Sequence, residues 1–249
     1  MTNQILYRDE HRLRADIVEI GRRMYRQGLT VAADGNLSIR LGPDRVLITP
    51  SGLSKGYLSP DQLIIVDLEG QVVPSYRPAQ RALKPSSETP MHLEAYRQRP
   101  DIGAVIHAHP PMSIACTIAG ISLARCVLPE VVFALGKIPT TSFAMPSSTE
   151  GADAIRELIR DHDAVLLDHH GALTVGADIF EALLHLEQVE HVARITVTAH
   201  QLGQVRMLSR EAVDTLAEMR RRAQRAKGRD VCATCDVCEW GEGEGERGA

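Results

Sequence analysis

The sequence predicts a three-layer α/β domain built around a mixed sheet. Segments of strand and helix character alternate along the chain, which is typical of α/β domains. The strand segments are short and end at tight turns rich in glycine, proline and asparagine. With 249 residues and no internal repeat, the chain has room for one large buried core.

The first third of the chain predicts one helix followed by short strands. Apolar residues recur at helical spacing within residues 9–27, and Gly28 follows as a stop signal. A turn at 33–36 then leads into strand-like segments, and a second turn at 50–52 separates two of them. The predicted strands cover residues 37–41, 46–49, 63–68 and 71–73.

The remaining chain predicts further helices, three strands and a separate tail. Residues 102–108 are apolar and rich in β-branched side chains, which indicates a buried strand, and two short strands over 164–167 and 172–175 flank a histidine-containing turn. Beyond residue 226 the composition changes to cysteine, glycine and glutamate, so we expect a domain over 1–226 and a mobile tail over 227–249. The predicted helices cover residues 89–98, 110–119, 179–200 and 210–225.

Composition excludes several classes of partner. A net charge of −4 and an aromatic content of 4% argue against nucleic-acid binding, which calls for basic patches and stacking platforms. The chain has no apolar stretch of membrane-spanning length and no secretory signal, so we expect a cytoplasmic protein without a membrane partner. Cys116 and Cys126 lie in apolar surroundings and are expected to be buried.

Three histidines are candidate metal ligands. His107 and His109 stand two residues apart on a predicted strand, where side chains at i and i+2 point to the same face. Two such imidazoles can meet one metal ion, although a histidine pair also occurs on ordinary surfaces. His170 lies in the turn before Gly171, where a lone histidine is more often structural. Three histidine ligands would leave coordination positions open for substrate.

Small polar turns are candidate anion sites. Ser86, Ser87 and the helix start that follows them offer hydroxyl groups and backbone amides, with Glu88 beside them. The same residues are also an ordinary helix cap with a favourable acidic residue. The turns Gly35–Asn36 and Ser51–Gly52 offer further amides, or serve only as turns.

The tail carries a second candidate site. Its three cysteines are spaced as two overlapping CxxC units, with Trp240 close by. Such a motif is consistent with a second metal ion that takes a fourth ligand from elsewhere, with a redox role, or with a thiol-bearing extension. The residues are Cys232, Cys235 and Cys238.

Taken together, four segments resemble the class II aldolase/adducin family and, within it, the L-fuculose-phosphate aldolase type. They fall in the family's order and roughly its spacing, and their combination is far more specific than any one of them. The resemblance covers about residues 10–205. The segments are ADGNLSIR (33–40), LITPSGLSKGYL (47–58), KPSSETPMHLEAYRQRPDIGAVIHAHP (84–110) and LLDHHGALTVG (166–176).

This resemblance implies a fold, a site and an assembly. The fold is a three-layer α/β/α sandwich around a central, mostly antiparallel sheet, in homotetramers whose active sites lie at subunit interfaces. Glu88 is implied as the acid/base carboxylate, close to the metal in the resting enzyme. The implied ligands of Zn²⁺, or of Mn²⁺ or Co²⁺, are His107, His109 and His170. The implied phosphate pocket consists of Asn36, Ser51, Gly52, Ser86 and Ser87.

The implied activity is cleavage of a ketose 1-phosphate, through an enediolate, to dihydroxyacetone phosphate and an aldehyde. Two departures leave the sugar open: Ala33 replaces a threonine of the phosphate pocket, and the expected intersubunit tyrosine is missing near Cys126–Glu130, where Glu130 is a candidate substitute. Fuculose, 5-deoxyribulose and methylthioribulose 1-phosphates are therefore all candidate substrates. Alternatives at the same metal site are dehydration of methylthioribulose 1-phosphate and decarboxylation of a sugar-acid phosphate. Epimerisation is the least favoured alternative, because the sequence shows no additional His/Asp pair that would support it. A non-catalytic, adducin-like interaction module is the remaining alternative.

Overall fold

A computed structural model describes residues 2–75 and 77–226 of the chain. The tail over 227–249, with its three cysteines, lies outside the described residues. The eight helices of this part are α1 (Thr2–Arg26), α2 (Thr89–Gln98), α3 (Pro111–Ile118), α4 (Pro129–Ala134), α5 (Glu150–Ile155), α6 (Leu158–Asp161), α7 (Ile179–Leu202) and α8 (Arg210–Ala226). The strands are β1 (Asn36–Arg40), β2 (Arg45–Ile48), β3 (Ile64–Asp67), β4 (Ala104–Ala108), β5 (Ala164–Leu167) and β6 (Gly171–Gly176).

The six strands form one sheet in the order β3-β2-β1-β4-β6-β5. All five strand pairings are antiparallel. The mixed sheet expected from the alternation of helices and strands is therefore wrong, whereas the mostly antiparallel sheet implied by the resemblance is confirmed. Short turns join β1 to β2 and β5 to β6, and a tight turn between neighbouring strands permits only antiparallel pairing.

Helices cover both faces of the sheet. Ile17 and Ile20 of α1 belong to the same core cluster as Ile106 of β4, and residues of α3, α4 and α7 complete that cluster. The opposite face packs against α2, α5 and α6, where Val105 of β4 is buried beside Tyr96. Alternation along β4 therefore directs His107 to the α2 face, away from the larger core.

Several boundaries differ from the predicted ones. The first helix begins at Thr2 and not near residue 9, and residues 71–73 contribute only a bridge between Val72 and Val66. Helices α4, α5 and α6 were not predicted because segments of four to six residues are too short to display a helical period. Cys116 and Cys126 are buried, as expected. Within 2–75 and 77–226, none of the helices combines the length and apolar character that a bilayer crossing requires.

Candidate metal centre and active site

Three histidine rings converge at one end of the sheet. His107 lies in β4, His109 follows that strand, and His170 lies in the turn between β5 and β6. Because β4 pairs with β6, the turn that precedes β6 is held beside the end of β4. The ring centroids are 4.7 Å to 4.9 Å apart. Strand alternation thus orients the first two rings, and sheet pairing adds the third from a distant part of the chain.

The ring nitrogens are spaced as ligands of one metal ion would be. One nitrogen of each ring lies within 4.8 Å of the others, and His107 Nε2 is 3.0 Å from His109 Nε2. Ligands about 2.0–2.1 Å from a tetrahedral zinc ion lie roughly 3.4 Å from one another. His107 Nδ1 is 3.0 Å from the backbone oxygen of Ala172; because a carbonyl only accepts, Nδ1 carries the proton and Nε2 presents a lone pair. The three rings therefore fit a divalent metal ion.

The surroundings keep these rings uncharged. Burial lowers the pKa of His107 well below its usual range, and the two neighbouring imidazoles lower it further. Burial is also the main cause that lowers the pKa of His109 and of His170, while the Asp34 and Glu88 carboxylates oppose the shift. Asp34 Oδ2 lies 3.6 Å from His109 Nδ1. Neutral imidazole is the form that binds metal, so the cluster is electrostatically prepared for a cation.

Two glycines allow backbone to pack directly on the histidine strand. A Cβ on Gly171 would lie 2.3 Å from the Ala108 oxygen and 3.1 Å from atoms of both the His107 and His109 rings. A Cβ on Gly35 would lie 2.9 Å from the His107 oxygen, and its φ of +72° further favours glycine. The end of β4 is therefore flanked on two sides by glycine backbone, which approaches more closely than a residue with a Cβ could.

The first histidine of the 169–170 pair turns away from the cluster. His169 has a φ of 56°, a left-handed conformation, and its ring Nδ1 lies 2.9 Å from Asp168 Oδ1. Its backbone N–H donates to Thr117 Oγ1, and the next N–H, of His170, donates to the Leu167 oxygen. This turn separates the two adjacent side chains and directs only His170 into the cluster.

Glu88 is held at the start of α2 by a loop on the far side of the site. Its Oε1 accepts hydrogen bonds from the Ser147 N–H, at 2.7 Å, and from Ser147 Oγ, at 3.3 Å. Ser147 has a φ of 60° and also shares a 2.9 Å hydrogen bond with Ser87 Oγ. One carboxylate oxygen is therefore occupied, whereas Oε2 makes no hydrogen bond with any residue that the structure describes.

The predicted phosphate-binding turns are brought to the same sheet end. A bridge pairs Pro50 with Pro85, which puts the Ser51–Gly52 turn beside Ser86 and Ser87. Asn36 begins β1 and is the register partner of His107, so its side chain lies next to that ring on the same face. All five predicted phosphate residues thus come from segments that meet at one end of the sheet.

Several backbone amides expected to bind an anion are occupied instead. The Ser51 N–H donates to the Lys84 oxygen and the Ser86 N–H donates to the Thr49 oxygen, because the two segments pair as a short ladder. The Glu88 N–H donates to Ser86 Oγ. The expectation that free amides at the start of α2 form the anion pocket is therefore wrong for these groups. The serine hydroxyls and the Gly52 N–H remain as candidate donors.

Sequence reasoning did not identify Lys55, a buried cation next to the same turns. Its side chain is 2% exposed, and Nζ donates to the Ala33 oxygen at 2.5 Å and to the Leu53 oxygen at 2.7 Å. Burial lowers its pKa to about 8, and the Asp34 carboxylate opposes the shift. Lys55 therefore ties the turn before Asn36 to the turn after Gly52.

Two further site residues were also missed, for different reasons. His92 occupies a position on α2 whose neighbours are apolar, which is also the pattern of a structural core histidine. Ser147 lies in an irregular loop, where the sequence carries no periodic signal. For Lys55, the one signal in the sequence is its position between the small residues Ser54 and Gly56.

A narrow cleft opens beside Glu88 and His170. Its empty volume is about 260 Å³, with the mouth included. Most of the lining residues are apolar, and they come mainly from α2, β5 and the loop that carries Ser147. The lining residues are Glu88, Met91, Thr141, Ala144, Met145, Pro146, Gly151, Leu167, Asp168 and His170.

Glu130, the candidate substitute for the missing tyrosine, is exposed in the first turn of α4. Within the described part of this chain it makes no hydrogen bond or ion pair with the histidine cluster. Its role therefore stays a prediction that concerns a neighbouring subunit.

Comparison with curated proteins finds enzymes that act on small sugar phosphates. The chain is 33% identical over 187 residues to an L-fuculose phosphate aldolase from Methanococcus maripaludis, covering 75% of this chain and 97% of that protein. It is 34% identical over 210 residues to a 5-deoxy-D-ribulose 1-phosphate aldolase from Bacillus thuringiensis, covering 82% and 93%. It is 31% identical over 186 residues to a 3-oxo-tetronate 4-phosphate decarboxylase from Haemophilus influenzae, covering 73% and 85%.

The fold has matching relatives among solved structures. The structure of YgbL from Escherichia coli, described as a putative aldolase/epimerase/decarboxylase, aligns with a TM-score of 0.75 at 28% identity, covering 84% of this chain and 99% of that one. Residues 15–197 match the family described as Class II Aldolase and Adducin N-terminal domain. The match spans the sheet, the histidine cluster and most of α7, and we conclude that the chain belongs to the class II aldolase and adducin family.

Proposed function

We propose that this chain is a metal-dependent lyase that cleaves a ketose 1-phosphate to dihydroxyacetone phosphate and an aldehyde. The observation that carries the proposal is the convergence of the His107, His109 and His170 rings, the last of which lines a cleft together with Glu88. The aldolases among its relatives support the reaction class and a small sugar-phosphate substrate.

The three imidazoles are the proposed ligands, and zinc is the ion that we expect, with Mn²⁺ or Co²⁺ as alternatives. Three neutral nitrogens suit a catalytic site that keeps a position open. When bound there, a divalent cation supplies a Lewis acid that stabilises negative charge on the carbonyl and hydroxyl oxygens of the substrate.

Glu88 is the proposed acid/base group. Bond cleavage turns a hydroxyl of the aldehyde half into a carbonyl, which releases the hydroxyl proton to an acid/base group. It also leaves an electron pair on the carbon of the dihydroxyacetone phosphate fragment, and that carbon must take up a proton. Ser147 holds Oε1, so Oε2 is the oxygen that can carry the proton to this carbon and remove it in the reverse reaction. The fixed carboxylate removes one rotational freedom from the transfer.

The phosphate group is the proposed ligand of Asn36, Ser51, Gly52, Ser86 and Ser87. Their hydroxyl groups, one amide side chain and the Gly52 N–H are donors that suit phosphate oxygens. Because Lys55 binds the backbone oxygens of two of these turns, its role is to fix their spacing and to add positive charge behind them.

The aldehyde half of the substrate is proposed to be short and weakly polar. Six of the ten residues that line the cleft next to Glu88 have no hydrogen-bonding side chain, among them Met91, Met145 and Leu167, whereas Thr141 and Asp168 are the polar residues besides Glu88 and His170. A deoxy sugar such as 5-deoxyribulose 1-phosphate, or methylthioribulose 1-phosphate, suits this wall better than a fully hydroxylated chain. Fuculose 1-phosphate remains a candidate of the same reaction class.

Decarboxylation of a sugar-acid phosphate is the second candidate. The relative from Haemophilus influenzae carries that activity in its name and is similar to this chain at nearly the same identity as the aldolases. Loss of carbon dioxide leaves the same kind of electron pair next to a carbonyl group, so the same residues would serve. Dehydration of methylthioribulose 1-phosphate also needs no further residue.

The assembly proposed is a homotetramer in the cytoplasm with active sites at subunit interfaces, where Glu130 of a neighbouring subunit serves as the missing acid/base group.

The experiment is an assay of purified protein with a panel of ketose 1-phosphates and 3-oxo-tetronate 4-phosphate. Dihydroxyacetone phosphate and carbon dioxide are measured separately, and metal content is measured on the same sample. His109→Ala should remove the metal and nearly all activity, whereas Glu88→Gln should keep the metal and slow proton exchange on dihydroxyacetone phosphate by about 10²–10⁴-fold. Release of carbon dioxide alone would select the decarboxylase, and a metal-free, inert wild-type protein would leave the interaction module.

A further inference from the structure

A buried chain of hydrogen bonds ends at Asn36, next to the metal centre. His92 of α2 is completely buried, and its Nε2 lies 2.5 Å from Asn36 Oδ1. Its Nδ1 lies 2.7 Å from Ser38 Oγ, which in turn lies 2.9 Å from the Tyr96 hydroxyl. Four side chains are thus linked in one line from the core to the site.

The proton order along this line follows from the donors that each group owns. Tyr96 and Ser38 carry one hydroxyl proton each, and a neutral imidazole carries one N–H. If Tyr96 donates to Ser38, and Ser38 donates to His92 Nδ1, then the His92 Nε2–H donates to Asn36 Oδ1 and every proton has an acceptor. In the reverse order, the Tyr96 proton has no acceptor within hydrogen-bonding distance among the described residues, which is costly for a buried hydroxyl.

Burial also makes the ring neutral. Desolvation lowers the pKa of His92 to about 3, so the ring carries one N–H and not two at physiological pH. Only a neutral ring can accept from Ser38 and donate to Asn36 at the same time.

The orientation of the Asn36 amide then has a consequence at the surface of the site. With Oδ1 turned inward, the NH₂ group is the part left over, and it makes no hydrogen bond with the described residues. Four side-chain nitrogen or oxygen atoms in the described part of the chain are fully buried without a hydrogen-bond partner, and Asn36 Nδ2 is not one of them. Because Nδ2 has no partner among these residues, it must therefore reach the surface of the site. The four buried atoms are Arg40 Nε, Ser54 Oγ, Gln188 Oε1 and Thr196 Oγ1.

We propose that His92 is a positioning residue that fixes the Asn36 amide with its NH₂ group outward, so that this group donates a hydrogen bond to a phosphate oxygen and disfavours a cation. The inference rests on the phosphate role proposed above for Asn36. An asparagine that is free to rotate would present its oxygen as readily as its nitrogen, and the oxygen would repel a phosphate. The orientation of the amide matters here because Asn36 lies beside His107. If Oδ1 pointed outward, it would be a possible additional ligand of the metal ion.

The test measures the affinity of the full-length, metal-containing protein for inorganic phosphate by isothermal titration calorimetry. We compare wild type with His92→Phe, which keeps the ring volume and loses both nitrogens, and with His92→Gln, whose amide N–H can replace the Nε2–H. His92→Phe should weaken phosphate binding about tenfold, in line with loss of a hydrogen bond to a charged group. His92→Gln should stay within about threefold of wild type, and the metal content of both should remain that of wild type.

A measurement on the wild-type protein tests the proposal even if the variants do not fold. Ring ¹⁵N chemical shifts should show a neutral His92 with the proton on Nε2, and a proton on Nδ1 would overturn the proposal. Ser38→Ala, a small change that removes the donor to Nδ1, should weaken phosphate binding severalfold. Unchanged phosphate affinity in folded His92→Phe would assign the histidine a purely structural role.

Failure of this inference is distinguishable from failure of the proposed function. Asn36→Ala removes the amide altogether, so if it leaves phosphate affinity unchanged, the phosphate role of Asn36 itself is wrong. If Asn36→Ala weakens binding while His92→Phe does not, the phosphate site stands and only the positioning role of His92 is refuted.

Discussion

Gly171 offers the sharpest test of how the fold holds the metal centre. Replacing it with alanine puts a Cβ 2.3 Å from the Ala108 oxygen, where real contacts do not fall below 3.0 Å. The β4 and β6 backbones must therefore separate by about 0.7 Å at this point. The oxygen is a backbone atom and the position of the Cβ is fixed by the backbone of residue 171, so no flexible side chain can relieve the overlap. The two histidine rings at 3.1 Å from the same Cβ must move as well.

The expected consequences of Gly171→Ala differ for stability and for metal binding. Overpacking of this kind lowers the free energy of unfolding by about 1–3 kcal/mol. Displaced ligands should weaken metal affinity by about 10–100-fold, comparable to loss of an outer-shell contact. Turnover should fall about 100-fold, as for a misplacement of about 1 Å near the chemistry.

A matched control exists at the opposite end of the same two strands. A Cβ on Gly103 would lie 2.1 Å from the Ala177 oxygen, far from the histidines, and the Gly103 N–H donates to the Gly176 oxygen. Gly103→Ala should therefore lose similar stability and keep its metal affinity within about threefold. Metal affinity is measured by competition with a chelator, and stability by chemical denaturation. The reasoning is refuted if Gly171→Ala binds metal as wild type does, or if Gly103→Ala loses as much affinity.

Three other predictions concern the turns, the acid/base loop and the tail. The pKa of Lys55 falls from 10.5 to about 8 on folding, so the unfolded chain binds more protons than the folded chain between these pH values. The free energy of unfolding of the wild type should therefore rise over that interval relative to Lys55→Met. An equal difference in unfolding free energy between the two proteins at pH 7.5 and pH 10 would contradict this. Ser147→Pro removes the N–H that donates a hydrogen bond to Glu88, and proline cannot adopt the φ of 60° found at this position. Its kcat should fall at least about tenfold with the metal retained, while the kcat of Ser147→Gly should stay close to that of wild type. Equal kcat values for the two variants would refute a role for that N–H. A chain that ends at residue 226 should keep the metal of the histidine cluster, and metal analysis that shows its loss would assign that metal to the tail.

The histidine cluster illustrates which part of the site the sequence could predict. The shared face of His107 and His109 follows from the two-residue period of a strand, which is a local rule. The arrival of His170 depends on the pairing of β4 with β6, and only the family resemblance indicated it in advance. Sheet order has no local signature, which is also why the mixed sheet was a wrong prediction.

The amides at the start of α2 show why local rules fail at the anion pocket. Ser86 and Glu88 look like a helix start with free N–H groups when they are considered alone. The Pro50–Pro85 bridge and the Ser86 hydroxyl occupy those groups, and the bridge depends on contacts between distant segments. Ser147 and Lys55 also act on distant segments, Ser147 on Glu88 and Lys55 on the Ala33 oxygen.

The pairing of β4 with β6 has a consequence for how the proposed metal ion would enter the histidine cluster. Hydrogen bonds of the sheet, and not coordination, bring the two ligand-bearing segments together. Small zinc domains, by contrast, remain unfolded until the ion arrives. Chelation should therefore leave a folded apoprotein that regains activity when metal is added back, without a denaturation cycle. If the histidine cluster binds the proposed metal, the chain would fold before the ion arrives, and the amount of active protein would follow the metal supply.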